Sequence, residues 1–474
     1  MRILLVNPFG SNWIEGLKGS AETSVRMAPI GILSIAAYLA EKGFEVKVAD
    51  CRVPAARANE AIRKMLSFKP DMAGFTATTS GFIDAYRIAE ALKNADPGIR
   101  IIFGGVHVSA LRGSILENFP CIDYVINGEG EKAMSELAAG ASLDSIQGLV
   151  YRNGSGIKDN GVRTDLCELD SLPFPAYNML EGFPKTFQPP LFNYPKFPSA
   201  TMISSRGCPY QCSYCDRSVF RKSFRYNSAD YLYGQMAFLR KEFNIRHIFF
   251  YDDLFTFHRK RIEEFCSLMG KKPLHMTFNC AVRVGHIDDD LLKMLKAAGC
   301  WMVSIGMESG DPGLLARHKS NMKLEEVRNT VRSIQRCGIR VKGLFMMGLP
   351  GETEQSIRKT ADFIEPLELD DVNMTKFTPF PGYPIYKTVR EEAYCKEDWE
   401  LMNCMNFVFV PHGIASGERL DELYRQSLKK FYTNKNWLRK FGPLMFKSPH
   451  STYRMLRNLP TFLRVKNEFA PRNK

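Results

Sequence analysis

Cys208, Cys212 and Cys215 stand in the run Ser204-Ser205-Arg206-Gly207-Cys208-Pro209-Tyr210-Gln211-Cys212-Ser213-Tyr214-Cys215. Three thiolates on one short loop can hold three irons of a cubane [4Fe-4S] cluster and leave the fourth iron without a protein ligand. Electron carriers with four cysteines close that shell, so a three-cysteine site is a place for reaction rather than a relay. The competing readings are a zinc site and chance clustering. Zinc knuckles and ribbons pair two CxxC-like halves and close at four ligands, and no second half lies nearby. The other nine cysteines are scattered singly, several inside apolar runs. That is the usage of buried thiols in a reducing compartment.

Other runs carry chemistry downstream. Asp252 and Asp253 follow Ile248-Phe249-Phe250-Tyr251; two carboxylates at a strand end bind an ammonium group or cap the next helix. Arg283 closes Asn279-Cys280-Ala281-Val282-Arg283 and offers a planar fork to a carboxylate. Glu308, in Gly306-Met307-Glu308-Ser309-Gly310, can take ribose hydroxyls or an ammonium. Gly348 and Gly351 flank Leu349-Pro350 and let backbone approach a flat ligand closely; Glu352, next in line, reads as a cap for the following helix. Near the N-terminus, hydroxyls and glycines recur at strand ends: Phe75-Thr76-Ala77-Thr78-Thr79, Phe103-Gly104-Gly105-Val106-His107 and Asn127-Gly128-Glu129-Gly130-Glu131.

These runs need elements to hold them. Residues 1–140 alternate apolar strands with helical patterns, which predicts an α/β fold with a doubly wound, flavodoxin-like parallel sheet. The strands are expected at Arg2–Asn7, Phe44–Asp50, Asp71–Thr76, Arg100–Gly104 and Tyr124–Asn127, with a helix over Ser109–Asn118 among those between them. Residues 141–198 read as a proline-rich linker, with seven prolines from Leu172 to Pro198. A second β/α series over 199–395 predicts strands at Thr201–Ser205, His247–Tyr251, Met276–Cys280, Met302–Gly306, Val341–Met347 and Asp371–Thr375. Six units make a partial TIM-like (β/α)6 barrel, whose chemistry belongs at the carboxyl ends of its strands. The cysteine triplet falls at the end of the first.

The CxxxCxxC spacing, with aromatic Tyr214 before the third cysteine, resembles the signature of the radical S-adenosylmethionine (SAM) superfamily. The resemblance implies that SAM chelates the open iron and is cleaved to a 5′-deoxyadenosyl radical. It implies a SAM pocket at Tyr214, Asp252, Asp253, Arg283, Glu308, Gly348 and Gly351, although the Gly-Gly-Glu run that many members carry after the second strand is absent. A flavodoxin-like domain ahead of such a barrel resembles the cobalamin-dependent members. That implies cobalamin contacts at Asn7, Thr76, Thr78, Thr79, Gly104, Gly105, His107, Gly128 and Glu129. The Asp-x-His-x-x-Gly lower-ligand motif is missing; the first loop reads Asn7-Pro8-Phe9-Gly10-Ser11-Asn12, with no histidine to reach cobalt. A fold that has lost its cobalamin is the alternative, and His107 equally suits a structural hydrogen bond.

The implied reaction is methyl transfer from methylcobalamin to an unactivated position of a small-molecule or lipid substrate. The runner-up is radical oxidative cyclisation or rearrangement of a tetrapyrrole or lipid, and a non-catalytic cobalamin or redox sensor is the alternative from another class. An external flavodoxin- or ferredoxin-type electron donor is implied as well. No residue is singled out as a catalytic acid or base.

The net charge of +13 is uneven. From Arg425 to Lys474 there are thirteen Lys or Arg against the single acid Glu468, which leaves the rest of the chain at +1. Aromatics interleave with these cations in a helical, basic extension over 396–474, which Pro443, Pro449 and Pro460 cut into short amphipathic pieces. Three readings follow in order: an extension packed on the barrel, peripheral contact with an anionic membrane, and RNA binding, for which no module is evident. The N-terminal Met1-Arg2-Ile3-Leu4-Leu5-Val6 reads as a strand rather than a signal peptide. The longest apolar stretch, Met27 to Ala40, is too short to span a bilayer. The expected location is the cytoplasm, with the inner membrane face as the peripheral variant.

Overall fold

Apolar runs bounded by glycine and proline turns become the strands of two separate sheets. The computed structural model describes residues 1–8, 25–51, 58–154, 156–319, 322–391 and 395–459. Phe9 to Asn12 of the first loop, and Pro460, Phe462, Arg464 and Glu468 of the tail, lie outside these residues.

The first sheet contains β1 (Arg2–Asn7), β2 (Glu45–Asp50), β3 (Met72–Thr76), β4 (Arg100–Gly104) and β5 (Tyr124–Ile126), all parallel in the order β2-β1-β3-β4-β5. This is the flavodoxin arrangement, which places the ligand crevice beyond the carboxyl ends of the strands. Alternate residues serve two cores, as a sheet covered on both faces requires. Leu4, Val6, Phe75 and Phe103 pack under the helix Phe82–Ala95. Ile3, Leu5, Met72 and Ile102 pack against Leu33 and Met134, from the helices Ile30–Glu41 and Glu131–Ala138.

Three local expectations change. The helix expected over Ser109–Asn118 is two, Val106–Leu111 and Gly113–Asn118, parted at Arg112 with φ of 53°. Two further strands, β6 (Leu149–Asn153) and β7 (Gly156–Asp159), extend the sheet antiparallel within the stretch that reads as linker. The rest of that stretch is stitched to both halves of the fold: Ala176 N–H donates to Leu33 O of the helix Ile30–Glu41 at 3.1 Å, and Tyr177 Oη donates to Thr201 O at 2.6 Å.

The second sheet is six parallel strands. After β8 (Ser199–Met202) comes a short antiparallel ribbon of β9 (Ser205–Arg206) with β10 (Arg225–Tyr226). Then follow β11 (His247–Phe250), β12 (Thr277–Val282), β13 (Cys300–Glu308), β14 (Arg340–Met347) and β15 (Asp371–Lys376). The order β15-β14-β13-β12-β11-β8 is that of a curled (β/α)6 half-barrel with β8 and β15 at its edges. β8 stops at Met202 rather than Ser205, because Ser204 and Ser205 turn to serve a buried carboxylate described below.

Beyond the barrel, an irregular segment returns to the first sheet, where Trp399 packs against Phe82 and His107. Helices Gly417–Tyr432, Lys435–Lys447 and Pro449–Arg457 then close the chain. Pro443 lies inside the second of these rather than ending it. Its position faces water, which can satisfy the carbonyl it leaves without a donor.

Candidate active site

The cysteine loop is built around two constraints. Gly207 has φ of 90°, and a Cβ there would stand 2.2 Å from Ser223 O, so the turn into Cys208 admits only glycine. Asp252, buried at the end of β11, accepts from Ser204 N–H and Ser204 Oγ at 2.9 Å each and from Ser205 Oγ. Burial raises its pKa, which Arg261 and these donors oppose. Asp252 therefore anchors the start of the loop with one oxygen, while its second oxygen has no protein partner. Asp253 is the exposed member of the pair, in a recess crowded enough to raise its pKa, with Asp252 repelling its charge.

Among the described residues no three His, Cys, Asp or Glu side chains already converge in a metal-holding geometry. The donor chemistry nonetheless suits a cluster. A hydrogen bond from Cys215 pulls the Cys212 thiol down to about 6 against its burial, and Lys319 and Arg283 add to the fall. The same contact holds Cys215 in the thiol form, well above its ordinary value. Arg283 lies over the Tyr210 ring at 3.8 Å, beside the loop. Tyr214 is buried with Cys212, Leu349, Phe377 and Phe409, and fixes the loop from below.

Glu308, expected to face SAM, is committed to an ion pair. Lys319 Nζ stands 2.9 Å from its carboxylate and 2.6 Å from Gly306 O, with both side chains largely buried. Glu308 itself has φ of 60° at a register shift between β13 and β14. A left-handed glutamate costs on the order of 1–3 kcal/mol, a strain that clusters at functional positions. His318 ties the loop to the glycine turn: Nε2–H donates to Pro350 O at 2.8 Å, so Nδ1 accepts from Ser213 Oγ at 2.8 Å.

Gly348 and Gly351 both take positive φ, 95° and 83°. Glu352 does not cap the next helix; Thr353 does, in a capping box with Ser356. Glu352 is buried instead, where it accepts the Gly348 N–H and holds the turn closed. Burial raises its pKa to about 8, against the pull of the Gly348 and Leu349 N–H groups. A raised folded-state value means stability is full below the ordinary carboxyl range and falls as pH climbs through about 8. Glu352→Gln keeps an acceptor and removes that fall. Thermal melts should show the variant gaining on the wild type from pH 5 to 8, by at most about 5 kcal/mol.

An open cavity lies between the two sheets. Thr76, Gly104, Gly105, Gly128 and Glu129 line it from the strand ends of the first sheet. Ile203, Ser205, Arg206, Val219 and Phe220 line it from the barrel, and these residues bracket the cysteine triplet. Gly104 and Gly31 have nothing within 4 Å of where a Cβ would sit, so bare backbone faces open space. That cradle fits a bulky ring system.

Four residues expected there do not line it. Asn7 donates to Asp50 Oδ1 at 2.8 Å. Thr78 faces solvent, and Thr79 is buried 3.2 Å from His107 Nδ1. His107 is itself buried between Phe82 and Trp399, and burial lowers its pKa to about 3. Glu129 lines the cavity with its carboxylate already taken: Arg206 and Arg225 both donate to it. Arg206 also reaches Glu131 at 2.6 Å, and Ser34 Oγ donates to Glu131 at 2.8 Å. Burial alone would raise the Glu131 pKa, but Arg206 brings it below the ordinary value. Arg206, Glu131, Lys319 and His318 are the residues that sequence reasoning missed.

Residues 202–364 match the radical SAM superfamily, and residues 19–138 match the B12 binding domain. The chain is similar to an uncharacterized methyltransferase of Pyrococcus horikoshii, 28% identical over 91% of this chain and 92% of that protein. It is also similar to the anaerobic magnesium-protoporphyrin IX monomethyl ester cyclase of Rubrivivax gelatinosus, 25% identical over 92% of this chain and 78% of that protein. Its fold matches that of the radical S-adenosylmethionine methyltransferase TsrM from Kitasatospora setae, with a TM-score of 0.69 at 17% identity over 91% and 88% of the two chains.

Proposed function

We infer the reaction of a chain that belongs to the cobalamin-dependent radical SAM enzymes, and propose that it transfers a methyl group to an unactivated position of a small-molecule or lipid substrate. The observation that carries this reading is the interdomain cavity, walled on one side by the corrin-type strand ends and on the other by the segments flanking Cys208 and Cys215. When bound, the [4Fe-4S] cluster with SAM supplies a 5′-deoxyadenosyl radical and cobalamin supplies the methyl group.

The chain's own residues provide placement. Cys208, Cys212 and Cys215 would hold the cluster, with Lys319 and Arg283 offsetting thiolate charge. Asp253, Arg283 and the turn at Gly348 and Gly351 would hold SAM, with the buried Asp252, whose second oxygen has no protein partner, behind them. Glu308 acts through Lys319, and Tyr214 acts by packing. Thr76, Gly104, Gly105 and Gly128 would cradle the corrin, and Glu129 would brace Arg206 at its edge. The barrel would run from about 199 to about 395, while the first domain would extend past 140 to take in β6 and β7.

An external one-electron donor of flavodoxin or ferredoxin type and a peripheral place at an anionic membrane complete it. Among the described residues no helix is long and apolar enough to cross a membrane.

Gly104→Leu places a side chain in open space at a φ that admits one. It should abolish retention of cobalamin through gel filtration while iron content and melting temperature hold. Anaerobic turnover with candidate lipid, tetrapyrrole and phosphinate substrates should then yield 5′-deoxyadenosine and S-adenosylhomocysteine together from the wild type, by mass spectrometry. Formation of 5′-deoxyadenosine alone, with a product short of hydrogen, would select the second reading, the oxidative cyclisation that the Rubrivivax gelatinosus relative's name describes.

A further inference from the structure

The last two helices present an outward face unlike the rest of the surface. Eleven large hydrophobic side chains are exposed among the described residues, and five of them fall between Leu438 and Leu459. Phe446 is 88% exposed, Tyr453 60% and Leu456 57%. At about 100° per residue, the exposed positions of Lys435–Lys447 cover roughly half the helix, with Phe446 near the middle and Lys435, Arg439 and Lys447 beside it. Tyr453, Leu456 and Arg457 share the exposed stripe of Pro449–Arg457. No Asp or Glu occurs from Lys435 to Leu459.

The inward faces fix where this surface sits. Arg454 Nη1 donates to Pro189 O at 2.7 Å and to Tyr194 Oη at 3.0 Å. Ser451 Oγ accepts from Phe192 N–H at 3.0 Å, and His450 stacks on Phe197 at 4.0 Å, just ahead of β8. Tyr432 Oη donates to Asp371, the first residue of β15, at 3.1 Å. The helices therefore floor the barrel at the starts of its strands, opposite the cysteine loop.

We propose that this two-helix face docks the protein on the surface of an anionic lipid bilayer. An apolar centre flanked by cations, with no acid on either helix, is the pattern that lies at the boundary of headgroups and acyl chains. Each Lys or Arg held near such a surface strengthens partition by about fivefold. RNA would need the cations central and ring faces stacked outward; here the centre is Phe446 and Leu456. A floor-side contact leaves the barrel mouth and the interdomain cavity turned to water, so docking does not require the lipid to be the substrate. This proposal specifies the face behind the peripheral placement above and does not depend on methyl transfer.

The test is co-sedimentation of the full chain with vesicles of phosphatidylcholine alone and with about 30% phosphatidylglycerol, at low and high salt. The chain should sediment with the anionic vesicles about tenfold more than with neutral ones, and less at high salt. Phe446→Glu with Leu456→Glu should abolish that binding with cobalamin retention, iron content and circular dichroism unchanged, because both side chains are exposed. No binding to anionic vesicles at either salt, or equal binding by the variant, overturns the proposal. So does a wild-type mass by light scattering that halves in the variant, since the occupant is then a second copy. Retention of a transfer-RNA probe that depends on Phe446 and Leu456, without vesicle binding, overturns it in favour of nucleic acid.

Discussion

Alanine in place of any one of Cys208, Cys212 or Cys215 is expected to bring SAM cleavage to background and to strip the anaerobically reconstituted protein of its iron–sulfur chromophore. Three thiolates leave a single iron of the cubane open; with two, a second iron loses its protein ligand, and the cluster is expected to be lost. Cys212 and Cys215 already share a hydrogen bond, with Lys319 and Arg283 near enough to favour the Cys212 thiolate. Cys337→Ala, at the end of the helix Leu324–Arg336, serves as the control and should keep full iron. Equal iron loss in Cys337→Ala and Cys208→Ala would refute the assignment of the triplet.

The second large effect belongs to Arg206. Its guanidinium bridges Glu129 and Glu131 across the interface, with side-chain exposure of 14%, 8% and 5% respectively. Removing Arg206 strands Glu131, and a buried charge left without its partner costs about 3–5 kcal/mol. Arg206→Gln should lower thermal stability by that order and release cobalamin faster. Arg206→Lys should recover little, because an ammonium cannot present the planar fork that serves two carboxylates. Neutralising the stranded acid should recover more: Arg206→Gln combined with Glu131→Gln is expected to regain most of the lost stability, while Glu129 keeps Arg225. Arg206 also stands two residues before Cys208, so the interface and the cluster loop share one anchor. Melting curves and cobalamin off-rates that match the wild type in Arg206→Gln would remove that anchor from the account.

The strands of both sheets were legible because parallel strands buried on two faces read as apolar runs, and the cysteine spacing speaks for itself. The hairpin of β6 and β7 was not read, although Asn153-Gly154 is a recognised two-residue turn signal. Only Leu149, Val150 and Tyr151 of that hairpin are buried, too short a run to stand out beside a proline-rich stretch. Site residues failed where their partners are distant in sequence. Glu129 lies 77 residues from Arg206 and 96 from Arg225, and nothing local marks it as occupied. Glu308 looked free for SAM because Lys319 reaches it only after the helix Pro312–His318. His107 follows a glycine pair that resembles a cofactor loop, yet it lies in the helix Val106–Leu111, and Trp399, from beyond the barrel, closes over it. Its burial is a tertiary fact with no local trace.

One chain would hold both cofactors, the cluster at Cys208, Cys212 and Cys215 and cobalamin in the cavity that Arg206 helps to line. The most direct measurement is electron paramagnetic resonance of the full chain, reconstituted anaerobically with iron, sulfide and cobalamin, gel-filtered and reduced. The predicted result is co-elution of cluster and cobalamin, with the cob(II)alamin and reduced-cluster signals broadened by mutual coupling. Iron that stays with the protein while cobalamin elutes free, or two signals with no coupling between them, would contradict it.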